Sequence, residues 1–147
     1  MVEDNSEFVF QLAHQLIACG APIDRLLLTI QTLNPEIAAT SNTWIRSTDS
    51  IVPFSAQHGT LKTDRYIGSP MQQLFNTEKR VRQRLDQLPE GAHAAYTELA
   101  DDGFIDYLAL PILFNWGLGS AWILSTKCVQ GFSHNDIENF RILRNYL

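Results

Sequence analysis

Cysteine is scarce in this chain, with Cys19 and Cys128 the two thiols among 147 residues. Their separation excludes both a C-x-x-C redox motif and zinc-ligand spacing, so buried or semi-buried free thiols are expected. Basic charge is also short. Eleven Lys and Arg against 16 Asp and Glu leave a formal net charge of -5, which argues against nucleic-acid binding, since that rests on neutralising phosphates. Long hydrophobic runs are missing, and nothing approaches the roughly 20 apolar residues that a membrane helix needs. The first residues, MVEDNSEF, are acidic where a secretory signal is basic, so the cytoplasm is the expected compartment. The four histidines, His14, His58, His93 and His134, are too widely spaced for a metal motif. No Ser, His and Asp or Cys and His arrangement follows from spacing. Gly117-Leu118-Gly119 lacks the Lys-Ser or Lys-Thr ending of a phosphate loop. No catalytic residue, metal or cofactor is expected.

The 45% hydrophobic and 18% charged content is that of one globular domain spanning residues 1–147. Its clearest pattern lies in the last third. Phe104 to Phe114, FIDYLALPILF, is an apolar run bounded by Asp102-Gly103 and by Asn115-Trp116-Gly117, too short and too punctuated for a buried helix. It reads as a strand, in which Leu108, Leu110 and Ile112 share one face and Tyr107, Ala109 and Pro111 the other. Pro111 cannot donate to a ladder, which implies an edge or a bulge. Ser120 to Thr126, SAWILST, completes a β-hairpin. Ser133 then caps a helix that begins at His134, with Asp136 three residues on as an acidic variant of the capping box. That helix reaches Leu147 without a terminating signal, so the natural protein is expected to continue.

Earlier segments carry weaker signals. Asn5 or Ser6 caps a helix running to about Cys19 and ended by Gly20. Arg25 to Leu33 reads as a strand, with Leu26, Leu28 and Ile30 on one face and Leu27 and Thr29 on the other. Further strands are expected around Trp44 and around Phe54, the latter interrupted by Pro53. Ser69-Pro70 opens a short helix over Met71 to Asn76. Glu78 to Leu85 fits either a strand with Arg80, Arg82 and Arg84 on one face or a solvated helix. Its basic tract could take an anionic group or simply face solvent. His93 to Ala100 is a short helix. Regular strand–helix alternation is absent, so an α+β fold is expected, with a central antiparallel sheet, helices packed on one side and around its rim, and a C-terminal exit helix.

The Asp106 to Pro111 run, the small-residue turn near Gly117 to Gly119, and Gly131-Phe132-Ser133 before a helix resemble the closing half of GAF-like domains. The Ala18 to Leu33 pattern, the Leu33-Asn34-Pro35 turn, Trp44 and Ser69-Pro70 are similar to the sensory region that precedes the catalytic domain in some bacterial class III adenylate/guanylate cyclases. The resemblance implies a regulatory module rather than an enzyme, a homodimer, and a cyclase domain further along the same chain making cyclic AMP. A methionine sulfoxide reductase of this type would need clustered reactive cysteines, which Cys19 and Cys128 do not supply. If the sheet folds so, Trp44, Arg46, His58, Tyr66, Phe104 and Tyr107 would line a pocket for a flat or apolar small molecule. Ile137, Phe140, Arg144 and Leu147 fall at alternating three- and four-residue steps and could extend into a dimer seam. The competing expectation is a ligand-free dimerisation scaffold whose pocket is filled by its own side chains.

Overall fold

The computed structural model describes residues 5–115 and 118–143. A helix α1 (Ser6–Ala18) leads into three antiparallel strands, β1 (Arg25–Gln31), β2 (Ile37–Ile45) and β3 (Ser50–Gln57). A 3-10 turn (His58–Lys62), helix α2 (Pro70–Thr77), a short strand β4 (Val81–Arg84) and helix α3 (Ala94–Asp101) follow. The hairpin β5 (Asp106–Asn115) and β6 (Leu118–Thr126) and helix α4 (His134–Leu143) complete the order. The six strands form one sheet in the order β3-β2-β1-β6-β5-β4, with every described pairing antiparallel.

Local chemistry accounts for the boundaries. The Ser69 side chain accepts from the Gln72 N–H, and Pro70 occupies the first turn of α2, where its missing N–H costs nothing. Ser133 and Asp136 cap α4 reciprocally, each side-chain oxygen accepting the other's backbone N–H at 3.0 and 2.8 Å. Pro111 lies at a register shift between Pro111 and Leu113, and β4 pairs only with Asp106 to Ala109. The proline is thus accommodated by a bulge beyond the end of the neighbouring strand. The region that fitted either strand or helix is the strand β4. The Trp116-Gly117 part of the expected turn, and Arg144 and Leu147, lie outside the described residues.

The two faces of the sheet carry different layers. Trp44, Leu26, Leu124 and Leu108 form one cross-strand row, and with Leu110 and Trp122 they pack against Val9, Ala13 and Leu16 of α1 and Ile137 and Phe140 of α4. The first and last helices therefore share one side. On the opposite face Tyr107, Ala109, Ala121 and Ile123 pack with Leu74 of α2 and with Tyr96, Leu99 and Ala100 of α3. The short helices form a second layer there, which element order alone did not separate from the rim. Phe140 meets Phe132 and Trp122 edge-on, with centroids 5.5 and 6.4 Å apart.

The entry to α4 is fastened by one carboxylate. Asp106 is fully buried. Its Oδ2 accepts from the Arg82 guanidinium at 2.8 Å and from the Phe132 N–H at 2.9 Å, and its Oδ1 accepts from the Tyr107 N–H at 3.0 Å. Arg82 also donates to the Phe132 carbonyl at 2.9 Å, and Arg84 to the Gln130 carbonyl at 2.7 Å. Gly131 sits beneath them at φ +72°, where a Cβ would lie 2.7 Å from Asp106 Oδ2 and collide with the Arg84 guanidinium. The residue combines a left-handed backbone with close approach, and only glycine supplies both. Asp106→Ala removes the acceptor of the Arg82 guanidinium and of the buried Tyr107 and Phe132 N–H groups and is expected to cost about 3 kcal/mol, with Gly131→Ala costing about 2 kcal/mol. Urea unfolding checks both as a drop in midpoint at unchanged slope.

A second tie joins α1 to the β2–β3 turn. Trp44 Nε1–H donates to Asp49 Oδ1 at 3.0 Å, and His14 Nε2 lies 2.7 Å from the same oxygen. The Trp44 bond first, and then that to His14, hold the Asp49 carboxyl below the usual carboxylate range. A carboxyl depressed in the folded state stabilises above its unfolded value of about 3.9, and that contribution is lost as pH falls through the lower folded value. Replacing Asp49 by Asn is expected to lower the urea midpoint near neutrality and to flatten the acid limb below about pH 4, where the two proteins converge.

Candidate functional site

Side-chain size determines where the sheet has room. Toward β5 and β6, the α2/α3 face carries Tyr107 and Ile123, and the helices close on them. Toward β1 to β3 the same face carries Thr29, Ala39, Ser41, Thr43 and Ala56, small residues that leave space beneath α2 and the segment after the 3-10 turn. A cavity of about 490 Å³ results, bounded by Leu27, Phe54, Leu61, Tyr66, Met71 and Phe75 and by the two cations Arg25 and Arg65. Its size is within the range of small-molecule sites, and its lining combines apolar walls with a few hydroxyls. A neighbouring space of about 350 Å³ shares Arg25, Leu27, Arg65, Tyr66 and Met71 with it and extends beneath α3 to Tyr107.

The outer wall is attached by exposed polar contacts. Arg65 donates two bonds to Glu98 of α3 at 3.2 and 3.1 Å. His93 Nδ1 accepts from the Ala95 N–H, which leaves Nε2–H to donate to the Asp64 carbonyl at 2.9 Å. An exposed ion pair of this type contributes at most about 1 kcal/mol, so displacing the wall costs little beside unfolding the sheet. Burial pushes the Tyr66 phenol above its ordinary value and raises that of Tyr107 further. Both rings are therefore neutral near pH 7.

The six residues expected to share one pocket are divided among several places. Tyr66 lines the main cavity, and Tyr107 the adjoining space. Arg46 and Phe104 line a different cleft of about 450 Å³ near Asp24 and Lys127. There Arg46 donates to the Ile23 carbonyl at 3.4 Å, and the Lys127 ammonium lies 5.0 Å from the Phe104 ring centroid. Trp44 is on the opposite face of the sheet, buried against α1. It shares a row with Leu26 and Leu124, and strand parity places that row away from the cavity. His58 Nε2 is 3.0 Å from the Asn34 carbonyl, holding the 3-10 turn to the β1–β2 connection.

On α4, Ile137 and Phe140 are 4% and 1% exposed. They face the core of their own chain and so cannot form a seam with a second copy. The exposed apolar residues on that helix are Ile142 and Leu143. Two of the four basic residues of the tract are also committed internally, since Arg82 and Arg84 bond Asp106, Asp86 and three carbonyls. Sequence reasoning passed over Arg25, whose place at the head of an apolar strand is the one local sign that it deserved notice. Among the described residues no three His, Cys, Asp or Glu side chains converge as a metal site, and no helix is long and apolar enough to cross a membrane.

No protein-family model and no curated protein matches this sequence. Solved structures do match it. The GAF domain of a two-component sensor histidine kinase from Bacillus halodurans superposes with a TM-score of 0.68 at 10% identity, over 99% of this chain and 92% of that one. The GAF domain region of a putative membrane protein from Geobacter sulfurreducens gives 0.59 at 8% identity, over 97% and 92%. A GAF domain/HD domain protein from the same organism gives 0.56 at 12% identity, over 99% and 91%. The fold is GAF-like, and at these identities the likeness extends to the fold alone.

Ala39→Trp places a large ring in the main cavity and is expected to weaken binding of the neutral dye N-phenyl-1-naphthylamine at least tenfold, about 1.4 kcal/mol, as read by fluorescence titration. Phe8→Trp, made on an exposed position of α1, is expected to leave that titration unchanged.

Proposed function

We propose that this chain is a regulatory sensory domain that binds a small molecule between the α2/α3 layer and strands β1 to β3, and passes its occupancy to an output domain through α4. The cavity carries the reading. It is large enough for a ligand, mostly apolar, and closed on one side by a wall held through weak exposed contacts. One fold neighbour comes from a sensor histidine kinase, which agrees with a role in signalling.

The relay has a physical route. Alternate residues of β1 meet the cavity and the core beneath α1 and α4, so Arg25 and Leu27 line one side while Leu26 packs on the other. A ligand biases the output only through unequal affinity for two arrangements of these layers. On the sequence resemblance, the output is a class III nucleotide cyclase making cyclic AMP, working as a homodimer in the cytoplasm.

Mass spectrometry under native conditions, on protein purified from cells, is expected to detect a retained small molecule that Ala39→Trp protein lacks. An empty mass, together with failure of every cavity probe, would leave the ligand-free scaffold as the better account. For the output, the full-length natural protein is expected to be dimeric by light scattering and to convert ATP to cyclic AMP. A monomer without turnover removes the cyclase reading and leaves the sensory one standing.

A further inference from the structure

Arg25 is the most unusual charged residue in the molecule. It opens β1 and lines the main cavity, the adjoining space beneath α3 and the cleft near Asp24. Its guanidinium makes no hydrogen bond or ion pair with any described residue, although it carries five N–H donors. Arg82 and Arg84, which are less deeply placed, are by contrast bonded to carboxylates and carbonyls. Along the ladder Arg25 is opposite Ser125, whose buried hydroxyl has no hydrogen-bond partner among the described residues. Desolvation pulls the Arg25 pKa below its ordinary value, while Tyr107 and Asp102 act in the opposite sense without bonding it. A cation held this way is costly to the free protein unless something completes it.

The surroundings define what would complete it. Among the described residues, the lining of the main cavity includes Arg25 and Arg65 and no acidic residue. Arg65 is occupied by Glu98 at the rim, so the free donors are those of Arg25. Leu27, Met71, Phe75 and Tyr66 lie beside them. We propose that Arg25 is the anchor of the ligand site, and that the ligand is a small organic acid whose carboxylate is gripped by the guanidinium while its flat or aliphatic body fills the apolar space over β1 to β3. The planar fork matches a carboxylate with two parallel bonds, which also orients the body. This inference rests on the cavity being the sensory site and adds the class of ligand it accepts.

Calorimetric titration with two near-isosteric probes, indole-3-acetate and indole-3-acetamide, separates the claims. Wild-type protein is expected to bind the acid at least about tenfold more tightly than the amide. Arg25→Met keeps the length and removes the donors, so it is expected to bind both equally and with the weaker affinity, and to unfold at an equal or higher urea midpoint because an unpartnered cation is gone. Arg25→Lys is expected to retain only part of the preference. Equal binding of both probes to wild type overturns the anchor while leaving the sensory cavity intact. Binding of neither probe, with Ala39→Trp indistinguishable from wild type, overturns both. A preference that survives in Arg25→Met, or an Arg25→Met protein that is destabilised or unfolded, assigns the guanidinium a structural role and ends the proposal.

Discussion

The Asp106 carboxylate holds together parts of the chain that local structure would leave independent. It lies on β5, bonds Arg82 of β4, and receives the Phe132 N–H from the turn before α4. Burying a charge is costly, and the cost is met here by an ion pair and two backbone donors, so the carboxylate is nearly saturated. The short strand β4 depends on this arrangement because four residues supply little ladder of their own. The orientation of α4 depends on it too, since Phe132 is both a bonding partner of Asp106 and a packing neighbour of Phe140.

From that fixed end the sheet divides its labour by side-chain volume. The α1/α4 face is filled by Trp44 and Trp122 with leucines between them, which makes a dense layer. The other face is filled only where α2 and α3 reach Tyr107, Ala109 and Ile123. Farther along, over β1 to β3, threonine, serine and alanine replace them and a cavity remains. One strand, β1, belongs to both regions. Leu27 of that strand meets the cavity while Leu26 is buried in the opposite layer.

Local signals made much of this fold legible. The hairpin, the caps at Ser69 and Ser133 and the bulge at Pro111 depend on residues within a few positions of each other, and each could be read from its own neighbourhood. Partnerships across the chain could not. The Arg82–Asp106 bond spans 24 positions and the Arg82–Phe132 bond 50, so within a basic tract that looked solvent-facing or anion-binding, Arg82 and Arg84 are in fact committed while Lys79 and Arg80 face solvent. Trp44 looked suitable for a pocket because it is aromatic and on a strand, yet the pairing of Trp44 with Leu26 turns it into the core. Arg25 was overlooked for the opposite reason: its significance comes from partners it does not have, which only a three-dimensional arrangement exposes.

The positions of two prolines bear on how copies of the molecule behave when crowded. Pro53 lies on β3, one outer strand of the sheet, and Pro111 lies on the stretch of β5 that β4 leaves uncovered. Neither can offer a backbone donor to an incoming strand, and the bulge beside Pro111 bends its margin further. Both margins therefore resist templated growth from one molecule to the next. A sheet with Val52 and Phe54 exposed on its rim can thus leave that edge open to solvent without inviting filament formation.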